Sequence, residues 1–114
     1  MFKFVKMFEG VKRPEKKNGY SELFCSGDVT IPPYEKAYLP TGIRVEFSPR
    51  YFVHINGSTP SRRILAGVVD SDYRGEMKVL IFNRSSEEVE IKKHEKCANM
   101  HCIELTQVDL VEAS

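Results

Sequence analysis

The run Gly67-Val68-Val69-Asp70-Ser71-Asp72-Tyr73-Arg74-Gly75-Glu76-Met77-Lys78-Val79-Leu80-Ile81-Phe82-Asn83 decides how the chain reads. A short apolar lead-in is followed by Asp-Ser-Asp-Tyr-Arg-Gly, all turn chemistry, and then by a mostly β-favouring run that closes at Asn83. This pattern predicts a β-hairpin. Asp70, Asp72, Tyr73 and Arg74 put carboxylates, an aromatic ring and a cation on one tip, which is more chemistry than turning requires. Two plainer accounts fit the same residues. Surface turns are rich in Asp, Ser and Gly in any case, and Asp70 and Arg74 could be an ion pair that only steadies the hairpin.

Outward from this run the chain alternates short apolar stretches with turn signals. Residues 2–8 read as a strand, 12–19 as a polar loop with Pro14 and Gly19, and Val29-Thr30-Ile31 as a strand stopped by Pro32-Pro33, which cannot donate to a ladder. Ile43-Arg44-Val45-Glu46-Phe47 alternates strictly, so Ile43, Val45 and Phe47 face inward. Tyr51–Ile55 begins another strand, 56–63 is a turn region that includes Arg62 and Arg63, and Glu88–Lys92 alternates with Val89 and Ile91 inward. The last strands are expected at Cys97–Leu105 and Val108–Val111. About eight to ten short strands, with turns about every 8–12 residues and no amphipathic helix, predict an all-β sandwich, jelly roll or barrel.

The 114 residues, 41% apolar and 29% charged, suit one domain spanning 1–114. A net charge of +1 gives no global field for nucleic acid or an acidic membrane, and no stretch has the length of a membrane-spanning helix. Three cysteines, an odd number without a secretory signal, point to a reducing intracellular setting. His94, Cys97, His101 and Cys102 are types that bind zinc, but neighbours on a strand point to opposite faces, so the four do not converge without a break. A chain of this size buries a modest share of its surface alone, and a partner subunit would add to it.

With these residues in view, Ala66-Gly67-Val68-Val69-Asp70-Ser71-Asp72-Tyr73-Arg74-Gly75-Glu76 closely resembles the uracil-pocket hairpin of the trimeric dUTPases. The resemblance extends upstream through Asp28-Val29-Thr30-Ile31-Pro32-Pro33 and Leu39-Pro40-Thr41-Gly42-Ile43, and covers residues 18 to 105. It implies a jelly-roll or distorted-barrel subunit, a homotrimer with sites between subunits, and Mg²⁺-assisted hydrolysis of dUTP to dUMP and pyrophosphate. By the same resemblance Asp70 activates the attacking water and Tyr73 packs under the deoxyribose. Gly67, Met77, Lys78 and Asn99 fall at nucleotide-binding positions, and the metal arrives on the triphosphate with no direct protein ligand.

The departures lie in the groups that would grip phosphate. Glu22 stands where the family's first motif has Asp, and Gly57-Ser58-Thr59-Pro60-Ser61 replaces the Pro-Arg-Ser-Gly-Leu-Ala loop in a shortened segment. Ser58 and Thr59 keep hydroxyls there, and Arg62 or Arg63 would be the substitute cation. His94-Glu95-Lys96-Cys97-Ala98-Asn99-Met100 stands for the fourth motif, with Asn99 in place of Gln, and no Gly, Phe or Arg follows Leu105. Transition-state groups act as a unit. The expectation is therefore a dUTPase-fold protein with lost or strongly impaired hydrolysis that binds a protein partner or dUTP and dUMP. The alternative is an active dUTP diphosphatase with Asp70 as general base.

Overall fold

The computed structural model describes residues 2–65 and 67–113, and forms these as strands and connections without a helix. In chain order the strands are β1 (Lys3–Lys6), β2 (Glu15–Lys16), β3 (Ser21–Phe24), β4 (Val29–Ile31), β5 (Lys36–Pro40) and β6 (Ile43–Glu46). They continue as β7 (Tyr51–Asn56), β8 (Arg62–Leu65), β9 (Val68–Val69), β10 (Lys78–Asn83), β11 (Val89–Ile91) and β12 (Lys96–Glu104). No helix among them is long and apolar enough to cross a membrane.

Every pairing is antiparallel: a five-stranded sheet β2-β3-β12-β7-β9, a three-stranded sheet β5-β10-β8, and the pairs β1-β6 and β4-β11. One core serves all four. Leu23 and Val53 enter it from the five-stranded sheet, Leu39, Val79 and Ile81 from the three-stranded one, Ile43 and Val45 from β6, and Ile31 and Ile91 from the β4-β11 pair. The strict alternation read in β6 holds, with Ile43 and Val45 buried while Arg44 and Glu46 face outward and pair at 2.9 Å. This is the all-β, jelly-roll class that the sequence predicts.

Asn83 ends the inward series of β10 and is fully buried. Its Nδ2 donates toward the carbonyls of Ile31 (3.0 Å), Pro32 (3.1 Å) and Glu87 (2.8 Å), and its Oδ1 accepts from Ser85 N–H at 2.9 Å and Ser85 Oγ at 2.7 Å. A polar residue is stable in a core only when its bonding capacity is met. Here the amide stands in for a ladder, joining the end of β10 to β4 and the 84–88 turn.

The expected hairpin is corrected. Its outgoing arm, β9, pairs with β7 (Val69↔Val53, Val68↔His54), and its returning arm, β10, pairs with β5 and β8. The arms do not pair with each other because each is captured elsewhere. Met77 N–H donates to Ile43 O at 2.8 Å, Thr41 Oγ1 donates to Met77 O, and Gly42 N–H donates to Glu76 Oε2 at 3.0 Å. Gly42 makes this turn with φ +71°, and a Cβ there would lie 2.6 Å from Val11 Cγ2. On the other arm, Ile55 N–H donates to Gly67 O at 2.6 Å. The approach is so close that a Cβ at Gly67 would sit 2.2 Å from Ile55 O.

Three further expectations change. Arg62 and Arg63 belong to a strand, since β8 starts at Arg62 and pairs with β10. The polar 12–19 loop contains the two-residue β2. The strand expected at Val108–Val111 does not form and pairs with nothing among the described residues, and Val108, Leu110 and Val111 are 70%, 94% and 89% exposed.

Two substitutions test these contacts by urea unfolding. Asn83→Leu strands buried carbonyls and should cost about 2–4 kcal/mol. Gly67→Ala should cost about 1–3 kcal/mol by forcing β9 away from β7, whereas Gly27→Ala, where a Cβ meets nothing within 4 Å, should be close to neutral.

Candidate functional site

The chemistry-bearing residues of the 70–77 loop are held by the loop's own backbone. Tyr73 N–H donates to Asp70 O at 3.2 Å, closing the turn, and Tyr73 Oη donates to Glu76 O at 2.7 Å. The ring folds over Gly75 so closely that a Cβ there would lie 2.5 Å from Tyr73 Oη. Gly75 is therefore what lets Tyr73 lie flat against the loop. Arg74 turns away, with Nη1 donating to Ser71 O and Tyr73 O. The ion pair considered between Asp70 and Arg74 is not formed, and Asp70 is exposed with no ion-pair partner among the described residues.

Beside this loop lies an open groove of about 640 Å³, lined by Asp70, Tyr73, Met77 and Lys78 together with Tyr38 and Val68. Its size is that of a small-molecule site. Met77 is buried and forms the base, while Lys78 is exposed at the rim. Gly67 does not line the groove; its place is the close contact with Ile55. Tyr38 and Val68 are not among the site residues expected from the sequence. The signal for Tyr38 was its outward parity on β5, opposite to the buried Leu39.

A second cluster sits on the five-stranded sheet, and it shares no lining residue with the groove. Glu22 on β3 lies opposite Asn99 on β12, and Asn99 lies opposite Asn56 on β7. The Glu22 carboxylate forms an ion pair with Lys96 Nζ at 3.0 Å and faces Lys17 Nζ at 3.8 Å. Asn99 Oδ1 is buried and has no hydrogen-bond partner among the described residues. Nearby, a small cavity of about 160 Å³ is lined by Gly57, Thr59, Arg62, Lys96 and Cys97.

The shortened 57–61 segment is a tight turn that satisfies itself. Thr59 N–H donates to Arg62 O at 2.7 Å, Arg62 N–H to Thr59 O at 3.2 Å, and Arg84 Nη2 to Thr59 O at 2.6 Å. Ser58 Oγ accepts Ile64 N–H at 3.0 Å, and Thr59 Oγ1 accepts Arg62 N–H at 3.2 Å. The Arg62 guanidinium lies 3.5 Å from Glu95, and Arg63 is exposed on β8, opposite Phe82 of β10. Both hydroxyls accept backbone N–H groups with their own O–H left to donate, and the better-placed cation faces Glu95.

The two halves offer different chemistry. The groove combines an unpaired carboxylate with a fixed aromatic face, which suits holding a flat or ring-shaped group beside a water in reach of a base. The sheet cluster holds its charges in pairs. Among the described residues no three of His, Cys, Asp and Glu come together to hold a metal ion, and an ammonium occupies the face of Glu22. These side chains do not fit a directly ligated cation.

A family model described as dUTPase matches residues 11–114. The deoxyuridine 5'-triphosphate nucleotidohydrolase of Hydrogenobaculum sp. (strain Y04AAS1) is 37% identical over 100 residues, covering 81% of this chain and 69% of the relative. The Mus musculus protein of the same name is 31% identical over 128 aligned positions, covering 96% and 73%. Among solved structures, a dUTPase variant from phage phi11 of S. aureus that coordinates a structural Mg(II) ion superposes with TM-score 0.89 at 16% identity, covering 99% of this chain and 96% of that one. The Staphylococcus bacteriophage 80alpha dUTPase, described as controlling transfer of virulence genes, gives the same score and coverage. With a family model spanning nearly the whole sequence and relatives above 30% identity, this chain belongs to the dUTPase family.

Proposed function

We propose that this chain binds deoxyuridine nucleotides in the groove beside Tyr73 and hydrolyses dUTP to dUMP and pyrophosphate only slowly. The observation that carries the reading is that Asp70 and Tyr73 open on one groove, the carboxylate unpaired among the described residues and the ring fixed by its bond to Glu76 O. Tyr73 supplies the floor for the deoxyribose, and a closely packed ring leaves no space for a ribose 2′-hydroxyl. Asp70 is the water-activating base, with Met77 and Lys78 bounding the nucleoside and the backbone that Gly67 anchors reading the uracil edge.

Slowness follows from the phosphate side. Phosphoryl transfer depends on positioned charge, and here Arg62 is paired with Glu95, Glu22 with Lys96, and the hydroxyls of Ser58 and Thr59 receive backbone N–H groups. Arg63 is exposed on β8 and makes no ion pair among the described residues. One lost transition-state donor costs about 10²–10³ in rate. Magnesium would arrive on the triphosphate.

The active unit in this reading is a homotrimer. Neither Glu22 nor Asn99 lines the nucleoside groove, which supports a site completed between chains. The unpaired Asn99 Oδ1 supports the same conclusion, since a buried acceptor without a donor is costly. A neighbouring copy or a bound nucleotide would supply that donor.

Calorimetry with dUMP and dUTP, and pyrophosphate release from dUTP with Mg²⁺, test the proposal. Binding should weaken at least about tenfold in Tyr73→Ala and in Gly75→Ala, which displaces the ring, and Asp70→Asn should remove the slow turnover while leaving binding in place. Turnover at about 10 s⁻¹, the typical enzyme value, would favour the fully active enzyme. The absence of any nucleotide binding would leave only a protein-interaction role. Sedimentation should give three times the chain mass, and a monomer at micromolar concentration would exclude the trimer.

A further inference from the structure

We propose that Cys25 and Cys97 form a modification site, a buried dithiol that a hydroperoxide converts to an intramolecular disulfide. The strands bring the residues together through a fault in their pairing. Phe24 lies opposite Lys96, but the register then jumps to Leu23 opposite Ala98, which leaves Cys97 as the extra residue of a β-bulge. Just beyond β3, Cys25 is clamped to the same turn, its N–H donating to Glu95 O at 2.9 Å and its carbonyl accepting His94 N–H at 2.8 Å. Both side chains enter one buried cluster beside the same turn, near enough for each thiol to perturb the other.

The two thiols are shifted in opposite directions. The neighbouring Cys97 thiol holds the Cys25 thiol below its ordinary range, helped by Arg62 and opposed by burial and Glu95. The nearness of Cys25 and burial push Cys97 up. Buried thiols are usually inert for want of access, but Cys97 lines the 160 Å³ cavity beside Arg62 and Lys96, which is large enough for a small neutral oxidant.

The chemistry balances without a metal. A thiolate of the pair attacks the peroxide oxygen; an S–O bond forms as O–O breaks, giving a sulfenic acid and a hydroxide or alkoxide that takes up the thiol's proton. The second sulfur then attacks the sulfenic sulfur, S–S forms, S–O breaks and water leaves. Two thiols and one hydroperoxide thus become one disulfide, water, and a second water or an alcohol. A small thiol reverses the bond by exchange. Because neither cysteine lines the Asp70 groove, this site stands or falls apart from the nucleotide reading.

The test uses the full chain carrying Cys102→Ser, which removes the exposed third thiol. The folded protein is treated with hydrogen peroxide, denatured and alkylated, then weighed intact and mapped by proteolysis. The expected result is loss of both alkylatable thiols, a mass lower by two hydrogens, and a peptide pair joining Cys25 to Cys97 that separates with dithiothreitol. In Cys97→Ser, Cys25 should form no intramolecular bond. Retention of both thiols at peroxide levels that oxidise free cysteine, conversion of Cys97 to sulfinic acid with Cys25 still free, or disulfides only between chains would each overturn the proposal.

Discussion

The candidate site depends on the hold that the 40–43 turn has on the base of the 70–77 loop. Thr41 and Gly42 donate to Met77 O and the Glu76 carboxylate, and Ile43 O receives Met77 N–H. These bonds cross more than thirty residues of sequence, as the 34 between Gly42 and Glu76 illustrates. They fix the loop where β10 begins, so that Tyr73, whose hydroxyl bonds Glu76 O, inherits its position from the core. Precision at a loop requires such support, because a side chain on an unsupported turn samples many rotamers. Asn83 does the same at the far end of β10, so this strand is tied at both ends.

The molecule is uneven in how it treats charge. Beside Tyr73, Asp70 is left exposed and without an ion pair among the described residues, while around Glu22 and Arg62 the carboxylates and cations find one another. Exposed or half-exposed pairs of this kind contribute little to stability, about 0–1 kcal/mol each. Their larger effect is on chemistry, since a guanidinium facing Glu95 is not free to face a phosphate. The family's fold survives that change because the core and the 40–43 turn, rather than these ion pairs, hold the strands.

Much of this was legible in the sequence, and the parts that were not share a cause. The alternation of Ile43 to Phe47 told which side chains enter the core, and Asp70 and Tyr73 stood out by their company in one turn. Nearness in sequence favours reading the loop's arms as a hairpin, whereas in the fold β7 pairs with one arm and β5, β8 and the 40–43 turn hold the other. Arg62 and Arg63 looked like turn residues because Ser, Thr and Pro precede them; the edge of β10 drew them into a strand. Val108 to Val111 has strand-like composition, and it joins no strand among the described residues.

By itself, then, the sequence determined the all-β class, the inward faces of the strands and the signature loop with its carboxylate and aromatic ring. Those properties are written in period-two patterning and turn chemistry over a few residues, and need no distant partner to be read. Only the tertiary structure decided that Tyr38 walls the groove, that Glu95 holds Arg62 and Lys96 holds Glu22, and that Cys97 meets Cys25 through a bulge. Each of these is a contact between segments far apart in the chain, set by strand register. A shift of one residue in that register would turn the same side chains to the opposite face.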